Sequence, residues 1–279
     1  MAPQEAEGPR AAAWAITSGK GGVGKSTLSL NLGIALSAAG KRVLLIDADL
    51  GLANIDILLG VSAEYNLQDL LRGRASAFDV LVEGPEGLSV LPAASGISES
   101  DAWQDGDAER LSEELGRLER AFDLILIDTG AGISSKVTDF VLSSDRTFVV
   151  ATPEPTSIAD AYAMVKVATG ERPELPVGLI VNRAKSPREA HELHGKFEEI
   201  VSRFLNVSIQ KVGHVAEDLE VENATRTQHP VVLASPQSEA ARCIHTLGSE
   251  LATQLDNTDR SQPGLFARLT SRITEKEVA

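Results

Sequence analysis

Short apolar runs alternate along the chain with longer segments in which apolar residues recur every three or four positions. The apolar runs predict strands at residues 13–17, 42–47, 88–92, 123–128, 146–151, 177–182 and 211–215. Two of them, Val43-Leu44-Leu45-Ile46 and Leu124-Ile125-Leu126-Ile127, are apolar at every position, as is typical of strands covered on both faces. The segments of helical period predict helices at residues 26–39, 107–120, 134–142, 157–168, 187–204 and 234–256. This alternation predicts an α/β fold with a doubly wound, mostly parallel sheet.

The pattern also predicts one folded domain between two terminal segments. Residues 1–12 are expected to form a disordered leader, and they lack the basic start and apolar stretch of a signal peptide. The domain should cover residues 13–256, because residues 257–264 contain no apolar side chain and include Pro263-Gly264, which makes them a linker. Residues 265–277 then predict a short amphipathic helix.

Composition and charge narrow the class of protein. Apolar residues make up 43% of the 279 positions and charged residues 24%, which suits a globular chain with a sizeable core. The formal charge of -14 argues against broad attraction to DNA. The single cysteine, Cys243, argues against a disulfide framework and against an iron–sulfur carrier. Since no apolar run approaches the ~20 residues of a membrane-spanning helix, we expect a cytoplasmic protein.

The strongest chemical signal is a glycine-rich loop between the first predicted strand and the first predicted helix. It reads Gly19-Lys20-Gly21-Gly22-Val23-Gly24-Lys25-Ser26 and fits the P-loop pattern G-x-x-x-x-G-K-[ST] in the required context. Glycines allow backbone N–H groups to surround phosphate oxygens at a helix N-terminus. Lys25 would neutralise the β and γ phosphates, Ser26 would bind Mg²⁺, and Thr27 adds a second hydroxyl. A glycine-rich turn beside a surface lysine is the structural alternative, which this context disfavours.

Two predicted strands end in carboxylates, at the edge of the sheet where ligands bind in open α/β folds. Asp47 and Asp49 could orient an attacking water or hold a Mg²⁺-bound water, although aspartates there could instead cap a short helix. The run Asp128-Thr129-Gly130-Ala131-Gly132 follows the most apolar strand. Paired with the P-loop, it is a Walker B arrangement with Asp128 near Mg²⁺ and Gly132 near the γ-phosphate.

The loop with its additional lysine, Lys20, resembles the deviant Walker A motif of the MinD/ParA class of P-loop ATPases. Within that class, three further segments are similar to the branch of FlhG, FleN and YlxH proteins, which controls flagellar number and placement. These segments are DADLGLANID at 47–56, LPAASG at 91–96 and EPTSIADAY at 154–162. The resemblance covers about residues 14–250.

The resemblance implies a homodimer that closes around ATP, with ATP and Mg²⁺ as cofactors. It implies that Lys20 reaches the partner's nucleotide and that Asp49, and secondarily Asp47, orients the hydrolytic water. Asn182 and Arg183 match the position that contacts adenine, although an asparagine can also simply end a strand in a turn. Two features depart from the branch: residues 1–12 lack its N-terminal motif for activating the FlhF GTPase, and Gly130 replaces a commoner alanine.

The final segment predicts a helix with one apolar face. At 100° per residue its large apolar side chains share an arc of about 100°, flanked by two arginines. These side chains are Leu265, Phe266, Leu269 and Ile273, with Arg268 and Arg272 beside them. Such a face suits an interface with anionic lipid and resembles the membrane-targeting tail of MinD and FlhG proteins. It would place the ATP-bound dimer on the cytoplasmic face of the inner membrane. The alternative is a helix that docks on its own core.

These features predict a slow, dimer-activated Mg-ATPase switch that regulates flagellar number or placement. Candidate partners are a FlhF-type GTPase, flagellar switch or C-ring proteins and a flagellar transcription regulator, with DNA disfavoured by the charge. Two alternatives stay open: a ParA- or MinD-type positioning ATPase for DNA or the division site, and a nucleotide sensor with negligible turnover. Outside these motifs, His191 and His194 have a metal-compatible spacing, but without a third ligand nearby a solvated helix face is favoured.

Overall fold

The computed structural model describes residues 9–49, 54–65, 69–70, 72–92 and 107–278. Residues 50–53 and 93–96, which carry part of the resemblance, lie outside these ranges. The strands are β1 Ala12–Ser18, β2 Val43–Ala48, β3 Val82–Glu83, β4 Ser89–Leu91, β5 Leu124–Ala131, β6 Arg146–Ala151, β7 Val177–Ala184 and β8 Gln210–Ala216. The helices are α1 Lys25–Ala38, α2 Ile55–Leu59, α3 Asp107–Ala121, α4 Ser135–Ser143, α5 Pro155–Glu171, α6 Pro187–Leu205, α7 Leu219–Arg226, α8 Val231–Ala234, α9 Glu239–Leu255 and α10 Leu265–Val278.

The strands form one eight-stranded sheet in the order β3-β4-β2-β5-β1-β6-β7-β8. All neighbours pair in parallel except β3 and β4, which pair antiparallel at one edge. One face of the sheet packs against α1, α8 and α9, and the other against α3, α4, α5 and α6. Burial on both faces is the reason the central strands are apolar at every position. The predicted doubly wound α/β fold is confirmed.

Several predicted boundaries differ from the structure, and some short elements were not predicted. Strand β5 continues three residues beyond Asp128 to Ala131, since Ser18 still pairs with Ala131 across a register shift. The helix predicted at 234–256 begins only at Glu239, because Ser238 caps α9 by accepting a hydrogen bond from the Ala241 N–H at 3.2 Å. Strand β3 and helix α7 carry too few periodic residues to have been predicted.

Residues 10–12, which were predicted to end the leader segment, pack against the folded domain. Ala12 begins β1, and Arg10 forms two hydrogen bonds to the Asp145 carboxylate, at 2.8 and 2.9 Å. The predicted linker is also packed against this region, since the Arg10 Nε donates to the Gln262 carbonyl at 2.7 Å. The segments on either side of the domain therefore meet at the start of β6.

The tail forms the predicted helix, α10, and this helix docks on α3 and α4. Leu265 and Phe266 are 1% and 5% exposed, so half of the stripe predicted to face lipid is buried in the protein's own core. The Phe266 N–H donates to the buried Glu119 carboxylate at 2.8 Å, which satisfies a first-turn amide of the helix. Ile273, in contrast, is 44% exposed. In this conformation the tail adopts the docked alternative.

The basic side chains of α10 contact carboxylates of the domain. Arg268 pairs with Asp145 at 2.8 Å, whereas Arg272 and Lys276 pair with Asp139 at 3.4 and 2.5 Å. The Asp145 and Asp139 side chains are 7% and 11% exposed, so both carboxylates are shielded from solvent, whereas the Lys276 side chain is 46% exposed. The two arginines that were expected to contact lipid headgroups, Arg268 and Arg272, thus form ion pairs within the protein.

Asp145→Asn should destabilise the folded protein at pH 7 by about 3 kcal/mol, because it leaves two shielded arginines without a counter-charge. Burial raises the pKa of Asp145, but the Arg10 and Arg268 guanidiniums and the Ala13 N–H outweigh it and hold the pKa below its ordinary value. A depressed pKa contributes stability above the unfolded-state value, and this stability is lost as the pH falls through the folded-state value. The free energy of unfolding, measured with urea, should therefore differ less between the unsubstituted protein and Asp145→Asn at pH 3 than at pH 7.

The control is Glu222→Gln, which removes an exposed pair with Arg226 and should change stability by less than about 0.5 kcal/mol. An Asp145→Asn protein as stable as this control at pH 7 would contradict the assignment.

Candidate nucleotide site

The P-loop joins the end of β1 to the start of α1 and depends on glycine at its crowded positions. Gly24 caps α1 with a φ of 86°, and a Cβ atom there would lie 2.5 Å from the Asn182 Nδ2. At Gly19 a Cβ atom would lie 2.0 Å from the Asp160 carbonyl oxygen. The loop is therefore held against β7 and α5. Its remaining residues, Lys20 to Val23, lie between these two points as the motif predicts.

The centre of the site is a buried contact between the P-loop lysine and β5. The Lys25 Nζ lies 3.1 Å from the Asp128 Oδ1, and the two side chains are 6% and 1% exposed. The Ser29 hydroxyl lies 2.9 Å from the same Oδ1. Because Ser29 follows Lys25 by one helical turn, both side chains reach Asp128 from one face of α1.

The residues around Asp128 fit a bound magnesium ion. The Asp128 Oδ2 is buried and has no hydrogen-bond partner among the described residues, which is costly unless a ligand completes the site. Ser26 follows Lys25 in the first turn of α1, where a P-loop hydroxyl binds the metal. Hard oxygen donors of this kind are those that Mg²⁺ prefers. When bound, the ion would neutralise phosphate charge, held by Ser26 and by Asp128 directly or through water.

The two candidate carboxylates at the end of β2, Asp47 within the strand and Asp49 just beyond it, have different environments. Asp47 pairs in register with Asp128 on β5 and is 3% exposed. Its carboxylate accepts backbone N–H groups from Asp49, Asn54 and Ile55, at 3.1, 2.9 and 3.2 Å. The pKa of Asp47 is raised above its ordinary value, mainly by burial and also by the nearby charge of Asp128. The three N–H groups lower the pKa but do not outweigh the burial. The Asp47 side chain thus holds the following loop and the start of α2, as in the capping alternative.

Asp49 is less buried and lies beside the segment that follows Asp128. A Cβ atom at Gly130 would lie 3.6 Å from the Asp49 Oδ1, an ordinary contact distance, so the carboxylate lies close to this segment. Gly132 has a φ of 89° and donates its N–H to the Ser18 carbonyl at 2.9 Å, which ties this segment to the P-loop. The structure therefore brings Asp49 and Gly132 to the same edge of the sheet as Lys25.

Asn182 and Arg183 lie at the end of β7 and line a cavity of about 380 Å³ beside the P-loop. The Asn182 Nδ2 donates to the Val23 carbonyl at 2.7 Å, and its Oδ1 accepts the Arg183 N–H at 3.0 Å. Thr27 lines the same cavity. The asparagine therefore braces the P-loop as well as facing the cavity, which is large enough for part of a nucleotide.

Lys20 lies at the surface rather than in this cavity. Its Nζ lies 3.0 Å from the Glu154 carboxylate and 3.1 Å from the Thr156 hydroxyl, and its side chain is 39% exposed. The two lysines of the motif thus face different surroundings, one buried and one at the rim. Sequence reasoning did not assign roles to Glu154, Thr156 or Ser29. Only Ser29 has a sequence signal, its spacing of four residues from Lys25.

A P-loop with a second lysine, and carboxylates at the ends of two adjacent parallel strands, defines a nucleotide-binding ATPase of the MinD/ParA class. The chain belongs to the family described as the CobQ/CobB/MinD/ParA nucleotide binding domain, which matches residues 14–231. Both the predicted class and the predicted ATPase activity are confirmed by this match and by the relatives of the chain.

Two similar curated proteins and one similar solved structure agree with this assignment. Antiactivator FleN of Pseudomonas aeruginosa is 39% identical over 85% of each chain. Flagellum site-determining protein YlxH of Helicobacter pylori is 32% identical, over 87% of this chain and 82% of its own. The septum site-determining protein MinD of Pyrococcus horikoshii, solved with Mg-ADP, superposes with a TM-score of 0.69 and 26% identity, covering 89% of this chain and 99% of that one.

Separate substitutions of Asp47 and Asp49 should distinguish a structural role from a role in hydrolysis. Asp49→Asn should keep its fold and its ATP affinity but lose hydrolysis by roughly 100-fold or more, as expected for a group that orients water. Asp47→Asn should lower the free energy of unfolding by about 1–3 kcal/mol, because an amide nitrogen replaces an acceptor of backbone N–H groups. Urea unfolding, ATP binding and phosphate release measure these effects, and an Asp49→Asn protein with normal turnover would rule out that role.

Proposed function

We propose that this chain is a Mg-ATP-dependent switch that forms a homodimer with ATP and regulates the number or placement of flagella. The names of the two similar curated proteins, an antiactivator and a flagellum site-determining protein, support the flagellar role. The buried Lys25–Asp128 pair carries the nucleotide part of the proposal, since its lysine and its unsatisfied carboxylate oxygen suit phosphate and Mg²⁺. A FlhF-type GTPase, C-ring proteins and a flagellar transcription regulator are the candidate partners.

The position of Lys20 supports a role across a dimer interface. Its ammonium group lies at the rim of the site and is held by Glu154 and Thr156 through exposed contacts, which contribute little stability. The side chain can therefore exchange these partners for phosphate oxygens of a second subunit at small cost. A lysine used in this way makes the dimer depend on the triphosphate, because only the bound nucleotide supplies its partner.

The docked tail supports a second part of the switch, reversible association with anionic membrane. Among the described residues, none of the helices is both long and apolar enough to cross a bilayer. The helix α10 has few large apolar side chains, so one copy would bind lipid weakly and two copies in a dimer would bind more firmly. While docked, its basic side chains are paired with Asp139 and Asp145, and release would make them available to lipid headgroups.

Lys20→Ala should abolish ATP-dependent dimerisation while leaving ATP binding intact. The experiment uses the Asp49→Ala background to slow hydrolysis and measures mass by light scattering with ATP and with ADP. Lys41→Ala is the matched control, because Lys41 also pairs with an exposed carboxylate, Asp256 at 2.7 Å, but lies away from the P-loop. A Lys20→Ala protein that still dimerises with ATP would show that the lysine does not act across the interface.

Asp139→Asn should increase pelleting with anionic vesicles in the absence of ATP by roughly fivefold, the effect of about 1 kcal/mol less docking energy. The substitution removes the carboxylate that holds Arg272 and Lys276. Adding Ile273→Asp should reverse the gain by placing a charge on the lipid-facing stripe, whereas Ile200→Asp, at an exposed position of α6, should not. Equal pelleting of all variants would remove the membrane role from the tail.

A further inference from the structure

A carboxylate-free cavity lies outside the nucleotide site, between the first turns of α6 and the edge strand β8. It has a volume of about 220 Å³. Its lining consists of Pro187, Ala190, His191, His194, Lys211, Gly213 and His214. Three of the five histidines of the whole chain thus meet at one place, beside a lysine. Its neutral and basic lining contrasts with the acidic balance of the chain, whose formal charge is -14.

A β-bulge in β8 brings two of these side chains to the same face. Leu179 pairs with Lys211 and the next residue, Ile180, pairs with Gly213, so Val212 is an extra residue in β8. In a regular strand, side chains three positions apart point to opposite faces. The extra residue resets this alternation, and both Lys211 and His214 face α6.

The hydrogen bonds of the cavity determine which groups can donate to a ligand. The Lys211 Nζ lies 3.0 Å from the His191 Nδ1, and since an ammonium group can only donate, Nδ1 accepts and the neutral ring carries its proton on Nε2. Two first-turn N–H groups of α6 are already bound, since the Ser186 hydroxyl accepts the Glu189 N–H at 3.1 Å and the Ser186 carbonyl accepts the Ala190 N–H at 3.2 Å, and Pro187 has none. The side chains are therefore the main donors for a ligand here.

The most buried of the three histidines can gain a donor only by taking up a proton. His194 is 4% exposed, and its Nε2 lies 3.4 Å from the Gln210 carbonyl, an acceptor. Burial lowers the pKa of His194, the Gln210 carbonyl and Glu198 oppose this, and Lys211 and His191 lower it further. The lowered pKa keeps the ring neutral at pH 7, and protonation below that lowered pKa would give it a positive charge and a second N–H donor.

We propose that this cavity binds a phosphate-sized oxyanion, held by Lys211 and the surrounding histidine N–H groups. The volume is below that of typical sites for drug-sized ligands, which favours a small anion. A metal ion suits the cavity less well, because the Lys211 ammonium group occupies the His191 Nδ1. Across the part of the chain that the structure describes, no cluster of three or more metal-ligating side chains is arranged to hold an ion. Binding is tighter at lower pH, since a charged His194 adds both a positive charge and a donor.

The test follows the five histidine ring signals by NMR while inorganic phosphate is added to the full chain saturated with Mg-ADP, so that the P-loop is occupied. The signals of His191, His194 and His214 should shift and saturate, whereas His229 and His245, which lie elsewhere, serve as internal controls. With sulfate, which stays a dianion across this range, affinity should rise as the pH is lowered from 7.5. Lys211→Gln should weaken binding by roughly tenfold, and Lys196→Gln, at an exposed lysine of α6 outside the cavity lining, should not.

A parallel titration with glycerol 1-phosphate distinguishes the source of the phosphate. Binding at least as tight as that of inorganic phosphate assigns the site to an esterified phosphate such as a lipid headgroup, and weaker binding assigns it to the free ion. Unsaturated shifts of all five histidines, or an unchanged affinity in Lys211→Gln, would overturn the proposal. Because the nucleotide site is filled throughout, a negative result would leave the proposed ATP switch unaffected.

Discussion

The buried contact between Lys25 and Asp128 is the constraint on which the rest of the molecule depends. Two opposite charges that are almost fully removed from solvent are tolerated only when each has its partner in place. Helix α1 must therefore meet β5 at one register, and Ser29 reinforces that register from the same helix face. In the proposed switch this contact would have two states, because phosphate would replace the carboxylate at the lysine and Mg²⁺ would bind the carboxylate that is released. Nucleotide binding thus acts on an interaction at the centre of the fold.

Strand β1 connects this centre to the place where the tail is docked. At its start, the Ala13 N–H donates to Asp145, the carboxylate shared by Arg10 and Arg268, and at its end the chain enters the P-loop. Seven residues of buried strand therefore separate the nucleotide edge of the sheet from the charged cluster that anchors α10. The docked tail and the nucleotide site therefore lie at opposite ends of β1. This arrangement suits a protein in which the state of the nucleotide determines whether the tail is docked.

Sequence reasoning predicted the P-loop and the Walker B strand because their chemistry is written in consecutive residues. It assigned Asp47 and Asp49 similar roles, since both follow the same strand. The structure separates them, because the Asp47 carboxylate accepts three backbone N–H groups, from Asp49 and from Asn54 and Ile55 at the start of α2. The roles of Glu154 and Thr156 were not predicted for the same reason, as more than 130 positions separate them from Lys20. Contacts of this kind depend on which elements become neighbours in the sheet.

The sequence by itself determined the class of fold, the order of the main elements and the phosphate-binding loop, because periodicity and local motifs specify them within a few residues. It also determined that residues 265–277 form an amphipathic helix. Only the tertiary structure decided what that helix contacts: Leu265 and Phe266 fill a gap beside α3 and α4, and carboxylates from distant segments neutralise its arginines. The grouping of three histidines around Lys211 was likewise decided by a β-bulge. An amphipathic pattern predicts that the apolar face of a helix will be buried. Which surface buries it depends on packing between residues that are far apart in the chain.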